Sequence, residues 1–195
     1  APTRLYVQAS IKDEFMKKVA AHVAGFKPGD PLDPETTMGA IVDDIQLNSV
    51  MKYIESGKTE GAELLAGGNR CREESGGYFI EPTIFVTDKN HTIAREEIFG
   101  PVLSAMSFET EEEVIALAND SIYGLQAGLW TADISRAHRV ARALKAGTVH
   151  VNQYNDDDIT VPFGGYKQSG NGRDKSLHSM DKYCELKTTW IKIDY

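Results

Sequence analysis

Cysteine, paired histidine, positive charge and long apolar runs are all scarce in this chain, and each shortage excludes something. Cys71 and Cys184 are the two cysteines in 195 residues. They form neither a metal knuckle nor a disulfide framework, so a reducing compartment, the cytoplasm, is the expected location. The five histidines, His22, His91, His138, His150 and His178, include no close pair at ligand spacing, and a structural zinc site is not expected. No apolar run nears the roughly 18 residues of a membrane-spanning helix, and no signal-peptide pattern is present. A net charge of −8 lacks the basic excess that nucleic acid or an anionic membrane surface would require. The chain also has no initiator methionine. It opens on Ala1-Pro2-Thr3-Arg4-Leu5-Tyr6-Val7, already strand-like, and is expected to be part of a longer polypeptide.

What remains is a globular composition, 41% hydrophobic, long enough for one sizeable core. Residues 5–8 alternate as a strand. Ser10, with Asp13 three residues on, predicts a capped helix whose face is Ile11, Phe15, Val19 and Val23, ended by Gly25. Residues 26–38 carry Pro28, Pro31 and Pro34 and read as an ordered connection rather than a helix. A second helix is expected from about Asp43 or Asp44, with Leu47, Val50, Met51 and Ile54 inward, pausing at Gly57 and resuming to Ala66. Thr110 and Glu113 predict another capping box. Asp133 predicts the cap of a helix with Ala137, Val140, Ala141 and Leu144 inside and Arg136, Arg139, Arg142 and Lys145 outside, a solvated basic face on an acidic protein. Residues 173–183 predict a short last helix, and residues 185–195 alternate as a terminal strand that must pair somewhere or remain an exposed edge.

Two stretches carry chemistry. Glu96-Glu97-Ile98-Phe99-Gly100-Pro101-Val102 runs two carboxylates and a ring into Gly-Pro, which turns the backbone before the apolar run 102–108. A carboxylate only accepts hydrogen bonds and suits neighbouring hydroxyls such as those of a ribose; a flat ring nearby can pack on a flat heterocycle. The second stretch is Pro162-Phe163-Gly164-Gly165-Tyr166-Lys167-Gln168-Ser169-Gly170, preceded by the acidic Asp156-Asp157-Asp158. Its glycines match neither the Walker spacing nor the dinucleotide fingerprint. Cys71 stands in the polar excursion 67–77 between Arg70 and Arg72, which could lower its pKa. No histidine is near it in sequence, and an inert loop thiol is the better reading.

Glu-Glu-Ile-Phe-Gly-Pro-Val and Pro-Phe-Gly-Gly-x-Lys-x-Ser-Gly resemble the signatures of the NAD(P)-dependent aldehyde dehydrogenase superfamily, and weaker similarities extend over essentially all of the chain. The resemblance implies an α/β fold, the C-terminal portion of that family's catalytic domain over residues 1–183. It would have a mostly parallel sheet flanked by helices, with residues 184–195 as an oligomerisation strand joining a neighbouring subunit. It implies NAD or NADP as cofactor in the complete enzyme, a small-molecule aldehyde as substrate, and a homo-oligomer as the assembled state. By position, Glu97 falls on the residue that binds the nicotinamide ribose, Phe99 on the one packed near the nicotinamide ring, and Gln46 on one that approaches the ribose. Phe163 falls on the lining of the aldehyde tunnel, with Asp156 and Asp157 in the substrate-facing loop.

Ala1-Pro2-Thr3-Arg4 resembles the tail of the family's nucleophile motif, which would put the catalytic cysteine two residues before Ala1. The oxyanion donor, the general-base glutamate and the cofactor-binding half would also lie upstream, so the isolated chain is expected to be inactive. Cys184, at the start of the last strand, reads as a structural, partly buried thiol. The acidic loop would attract a cationic group, and residues 152–174 most resemble the gamma-glutamyl-gamma-aminobutyraldehyde dehydrogenases of polyamine breakdown, from which Asp157 departs where a glycine is expected. Alternatives to be weighed are a non-catalytic assembly module with the same fold and a thiol hydrolase using Cys71 or Cys184.

Overall fold

The computed structural model describes residues 3–154 and 158–194. In chain order the elements are β1 (Arg4–Gln8), α1 (Lys12–Val23), α2 (Asp44–Thr59), β2 (Glu63–Ala66), β3 (Arg70–Cys71), β4 (Phe79–Ile80), β5 (Thr83–Val86), α3 (Thr92–Arg95), β6 (Val102–Phe108), α4 (Glu111–Asn119), β7 (Tyr123–Gly124), β8 (Gln126–Leu129), α5 (Ile134–Ala143), β9 (Thr148–Val151) and β10 (Tyr166–Lys167). The fold is α/β, and the chain divides into two compact units, Ala1–Leu117 and Ala118–Tyr195.

The first unit is built on a sheet of order β1-β6-β5-β2. The pairs β1–β6 and β6–β5 are parallel and β5–β2 is antiparallel. In β5, Thr83, Ile84 and Phe85 are all buried, as expected for a strand covered on both faces. Phe85 packs with Leu47, Val50 and Ile54 of α2, with Ile93 of α3 and with Ile98, while Ile84 packs with Val7, Ala105 and Met16 of α1. Each of these larger side chains contributes roughly 1.5–3 kcal/mol by leaving water. Ser104, fully buried on β6, donates its hydroxyl to the Ile93 carbonyl at 2.8 Å.

Several expected details differ. Helix α1 is entered through a 3-10 turn over Ala9–Ile11, and neither Ser10 nor any other side chain caps it. That entry shifts the buried stripe to Met16, Val19, Ala20 and Val23, leaving Phe15 and Ile11 exposed. Helix α2 runs through Gly57 without a pause and ends at Thr59; residues 63–66 are strand β2. Gly57 is there for packing, because a Cβ would sit 3.0 Å from Ile93 Cδ1 and 3.2 Å from Phe85 Cζ. The connection 26–38 is ordered as expected, closed by a bridge between Pro28 and Met38.

In the second unit β8 and β9 pair in parallel, and β7 pairs antiparallel with β10. Asp133 caps α5 as expected, accepting from the backbone N–H groups of Ser135 and Arg136 at 2.8 and 3.1 Å, and Ala137 and Val140 are buried. Thr110 accepts from Glu113 N at 3.2 Å at the start of α4. The expected last helix is a 3-10 stretch, Leu177–Lys182. Residues 184–194 form no strand in the single chain and lie exposed, Leu186 and Trp190 among them. A lone terminal segment has no edge partner to satisfy its backbone within this unit.

Candidate active site

The bend over residues 96–101 is the crossover from β5 to β6, and helix α2 ties it down along its length. At the far end of α2, the Glu60 carboxylate accepts from the backbone N–H and the hydroxyl of Thr92, each at 2.6 Å, and from the Ser56 hydroxyl at 2.7 Å. It thereby caps the first turn of α3, and these bonds, the Thr92 hydroxyl foremost, hold the Glu60 pKa below its ordinary value. One turn on, Glu96 accepts from the Tyr53 hydroxyl at 2.7 Å. Ile98 is turned into the core at 2% exposure. Gly100 rests on α2 so closely that a Cβ would stand 2.5 Å from Val50 Cγ2, so glycine is required there for contact.

Phe99 carries the strain. Its φ is +50°, a region that costs a non-glycine residue about 1–2 kcal/mol, and its ring is 72% exposed. The Gln46 amide nitrogen donates to its carbonyl at 2.8 Å and to that of Ile98 at 3.2 Å. Gln46 is itself fixed by Asp43, whose side chain accepts from its backbone N–H at 2.7 Å as the cap of α2. Glu97, half-buried between these neighbours, makes no hydrogen bond or ion pair among the described residues. An unspent carboxylate beside an outward ring fits a diol attached to a flat heterocycle. Three of the expected residues, Gln46, Glu97 and Phe99, are thus gathered on one bend and its helix.

In the second unit, Phe163 is half-buried and joined to Asp174 by a two-bond antiparallel bridge, Phe163 N to Asp174 O at 2.9 Å and Asp174 N to Phe163 O at 2.6 Å. The Lys175 ammonium lies 5.5 Å from its ring centre. Asp156 and Asp157 lie outside the described residues. Their neighbour Asp158 is exposed and accepts from Thr160 N at 2.7 Å, which with a second bond to Thr160 lowers its pKa. Tyr154, just before the loop, donates its hydroxyl to Gln126 Oε1 at 3.2 Å, and burial raises its pKa.

The rest of the Pro-Phe-Gly-Gly stretch holds backbone together. Here Lys167, at φ +54°, donates to the carbonyls of Asn119 and Ser121 at 2.9 and 2.7 Å. Ser169 accepts from Gly124 N at 3.0 Å, and Arg173 donates to Gly165 O and Gly172 O at 3.0 and 2.6 Å. The stretch is a clamp on the turn after α4. Its glycines permit backbone approach: a Cβ on Gly164 would be 2.5 Å from Gly172 O.

Neither thiol is built for nucleophilic work. Cys71 is half-buried on β3, and burial, followed by the nearby Glu81 charge, raises its pKa; the lowering by Arg72 does not overcome them. Cys184 is exposed rather than partly buried, because the segment it begins is unpaired. No histidine hydrogen-bonds to either sulfur among the described residues, which leaves the thiol-hydrolase alternative without a base.

The family profile described as "Aldehyde dehydrogenase family" matches residues 1–189. The chain belongs to the aldehyde dehydrogenase family. It is 53% identical over 195 residues to the NADP/NAD-dependent aldehyde dehydrogenase PuuC of Escherichia coli K12, covering 100% of this chain and 39% of that protein. The gamma-glutamyl-gamma-aminobutyraldehyde dehydrogenase of Burkholderia cenocepacia superposes with a TM-score of 0.93 at 53% identity, covering 96% of this chain and 38% of the other. A mutant of the indole-3-acetaldehyde dehydrogenase AldA of P. syringae, solved with NAD+ and IAA, superposes with a TM-score of 0.94 at 57% identity, covering 98% and 39%. As an aldehyde dehydrogenase chain it therefore spans about 39% of the length of these relatives. The mixed, mostly parallel sheet flanked by helices is the sheet of that fold. No described helix is long and apolar enough to cross a membrane.

Proposed function

We propose that this chain forms the C-terminal part of the catalytic domain, over residues 1–183, of an NAD(P)-dependent aldehyde dehydrogenase that oxidises an aldehyde to a carboxylic acid. The observation that carries the reading is the Glu97 carboxylate, half-buried and without a hydrogen bond or ion pair among the described residues, two positions before the exposed Phe99. Glu97 would accept from the two hydroxyls of the nicotinamide ribose, and Phe99 would cover the ring. The Gln46 amide oxygen makes no hydrogen bond among the described residues. A bound nicotinamide supplies the hydride acceptor of aldehyde oxidation. Orienting it is the task of the bend, since a misplaced ring loses the alignment that makes transfer fast.

The thiolate, the oxyanion donor and the base that the reaction also needs are assigned to the length of the relatives that these 195 residues do not span. Phe163 would line the aldehyde's path. Asp156 and Asp157, with Asp158, would place negative charge at its mouth and favour a cationic aldehyde, an aminoaldehyde. The exposed tail from 184 onward would complete a sheet of a second copy, giving a homo-oligomer. The paucity of cysteine fits a cytoplasmic enzyme.

The test is made on the full-length protein that carries this chain. It is expected to reduce NAD or NADP in the presence of an aldehyde, and Glu97→Gln is expected to raise the nucleotide KM about tenfold or more by removing charge-assisted bonds. Unchanged kcat/KM in that variant would remove the role given to Glu97. Equal kcat/KM for an aminoaldehyde and an uncharged aldehyde would remove the substrate preference.

A further inference from the structure

We propose that Gln46 is a positioning residue, which holds the carbonyls of Ile98 and Phe99 from the first turn of α2 and so fixes Glu97 and Phe99 for the nucleotide, rather than serving chiefly as a ligand to the ribose. The inference deepens the functional reading above and rests on it.

Three features support it. A carbonyl oxygen only accepts, so the side-chain atom facing both carbonyls must be the amide nitrogen. That nitrogen contacts both carbonyls, at 2.8 and 3.2 Å. Those carbonyls flank the one residue of the bend with a left-handed backbone, Phe99 at φ +50°, where an unsupported phenylalanine would relax toward ordinary φ and carry its ring and the adjoining carboxylate with it. Finally, the clamp is mounted on something rigid: Asp43 caps the helix through Gln46 N, and Val50, one turn on, is fully buried against Gly100. A side chain held on a capped helix transmits position better than one on a loop.

The two roles differ in the hydrogen-bonding polarity they need. A direct ligand that accepts from ribose hydroxyls is replaced by Gln46→Glu without loss. A clamp that donates to carbonyls is destroyed by Gln46→Glu, which sets a carboxylate against two carbonyl oxygens, and is restored by Gln46→Lys, whose ammonium donates.

Both variants are made in the full-length protein. Backbone hydrogen exchange over residues 96–102 is measured without nucleotide, alongside the nucleotide KM and thermal unfolding. The expected result is faster exchange over 96–102 and an about tenfold higher nucleotide KM in Q46E, with Q46K close to the unmutated protein in both and overall unfolding little changed. Wild-type exchange in Q46E would overturn the proposal. So would faster exchange with an unchanged nucleotide KM, or a Q46K protein as damaged as Q46E. If the unmutated protein oxidises no aldehyde with NAD or NADP, the functional reading fails, and the exchange measurement alone decides whether Gln46 holds the bend.

Discussion

The 96–101 bend and the 162–173 clamp solve the same problem, holding irregular backbone still, by opposite means. The bend is held by side chains from a helix over an apolar core: Tyr53 and Gln46 reach it at two levels, Glu60 holds Thr92 at the start of the α3 turn that leads into it, and Ile98 and Ile93 are sunk among Phe85, Val50 and Ile54. The clamp has little core beneath it. It is held by cations donating to carbonyls, Lys167 to Asn119 and Ser121, Arg173 to Gly165 and Gly172, and by backbones in direct contact where glycines leave no side chain between them. The first arrangement tolerates local change by rotating a side chain, whereas the second has nothing soft to move.

The largest expected effect follows from that stiffness. A Cβ at Gly147 would fall 1.7 Å from Gly164 O; Gly147 cannot retreat without straining the bond from its N–H to Gly124 O at 3.0 Å, nor Gly164 without straining the adjoining bridge between Phe163 and Asp174. Gly147→Ala is expected to cost about 4 kcal/mol or more, seen as a collapse of folded yield and of resistance to proteolysis across the 118–195 unit. In the first unit the comparable change is Gly57→Ala, where the added carbon meets the tips of Ile93 and Phe85 at 3.0 and 3.2 Å. Those tips can shift, and alanine gains about 1 kcal/mol of helix propensity against about 1–3 kcal/mol of overpacking. A net loss of about 0–2 kcal/mol is expected in urea unfolding. A Gly147→Ala protein no less stable than Gly57→Ala would break the distinction between the two regions.

A smaller effect, with a pH signature, belongs to Glu60. Its folded pKa is depressed by the Thr92 and Ser56 bonds, so the stability it contributes is present above the ordinary glutamate value of 4.5 and is lost as pH falls through the lower, folded value. Glu60→Gln is expected to lower Tm at neutral pH by a few degrees, through a weakened cap on α3. The difference from the unmutated protein should close as pH falls below that point. A gap that stays constant down to strongly acid pH would mean that the carboxylate charge contributes nothing to the tether.

Much of the first region was legible in the sequence because its logic is local or periodic. Glu-Glu-x-Phe-Gly-Pro reads as a charged, ringed bend without reference to anything distant, and Leu47, Val50 and Ile54 repeat on one face of a helix. The misreadings share a different cause. Gly57 looks like a helix pause because its requirement, the rims of Phe85 and Ile93 at van der Waals distance, comes from tertiary packing that spacing does not encode. Ser10 and Asp13 spell a capping box, but a 3-10 turn over Ala9–Ile11 carries the chain into α1 and rotates the buried face to Met16. Resemblance implies that Gln46 approaches the ribose, but the bonds of its amide nitrogen to two carbonyls some fifty positions away are tertiary, and no local pattern spells them. The clamp was recognisable as a motif and opaque as a mechanism, since what Lys167 and Ser169 grip lies at Asn119, Ser121 and Gly124, far off in the chain.

The tail sets the lower end of the scale and tests the comparison from outside. Residues 184–194 have neither the core of the bend nor the cation-to-carbonyl bonds of the clamp: Leu186, Trp190, Ile191 and Ile193 are exposed and no strand pairing is made. The last fixed points before it are the Lys182 to Asp174 ion pair and the bond from Tyr183 N to Met180 O at 3.0 Å. Deleting everything after Tyr183 should therefore change the unfolding free energy of a single copy by less than about 0.5 kcal/mol. If the alternating Leu186, Thr188 and Trp190 are one face of a strand completed by a second copy, the same deletion in the full-length protein should reduce its oligomeric mass, read by light scattering. In the intact protein, Trp190 emission should shift to the red on dilution as the segment returns to water. Truncation that destabilises the single copy would show a dependence on the tail that these contacts do not contain. Truncation that leaves the oligomer intact would move the subunit interface elsewhere.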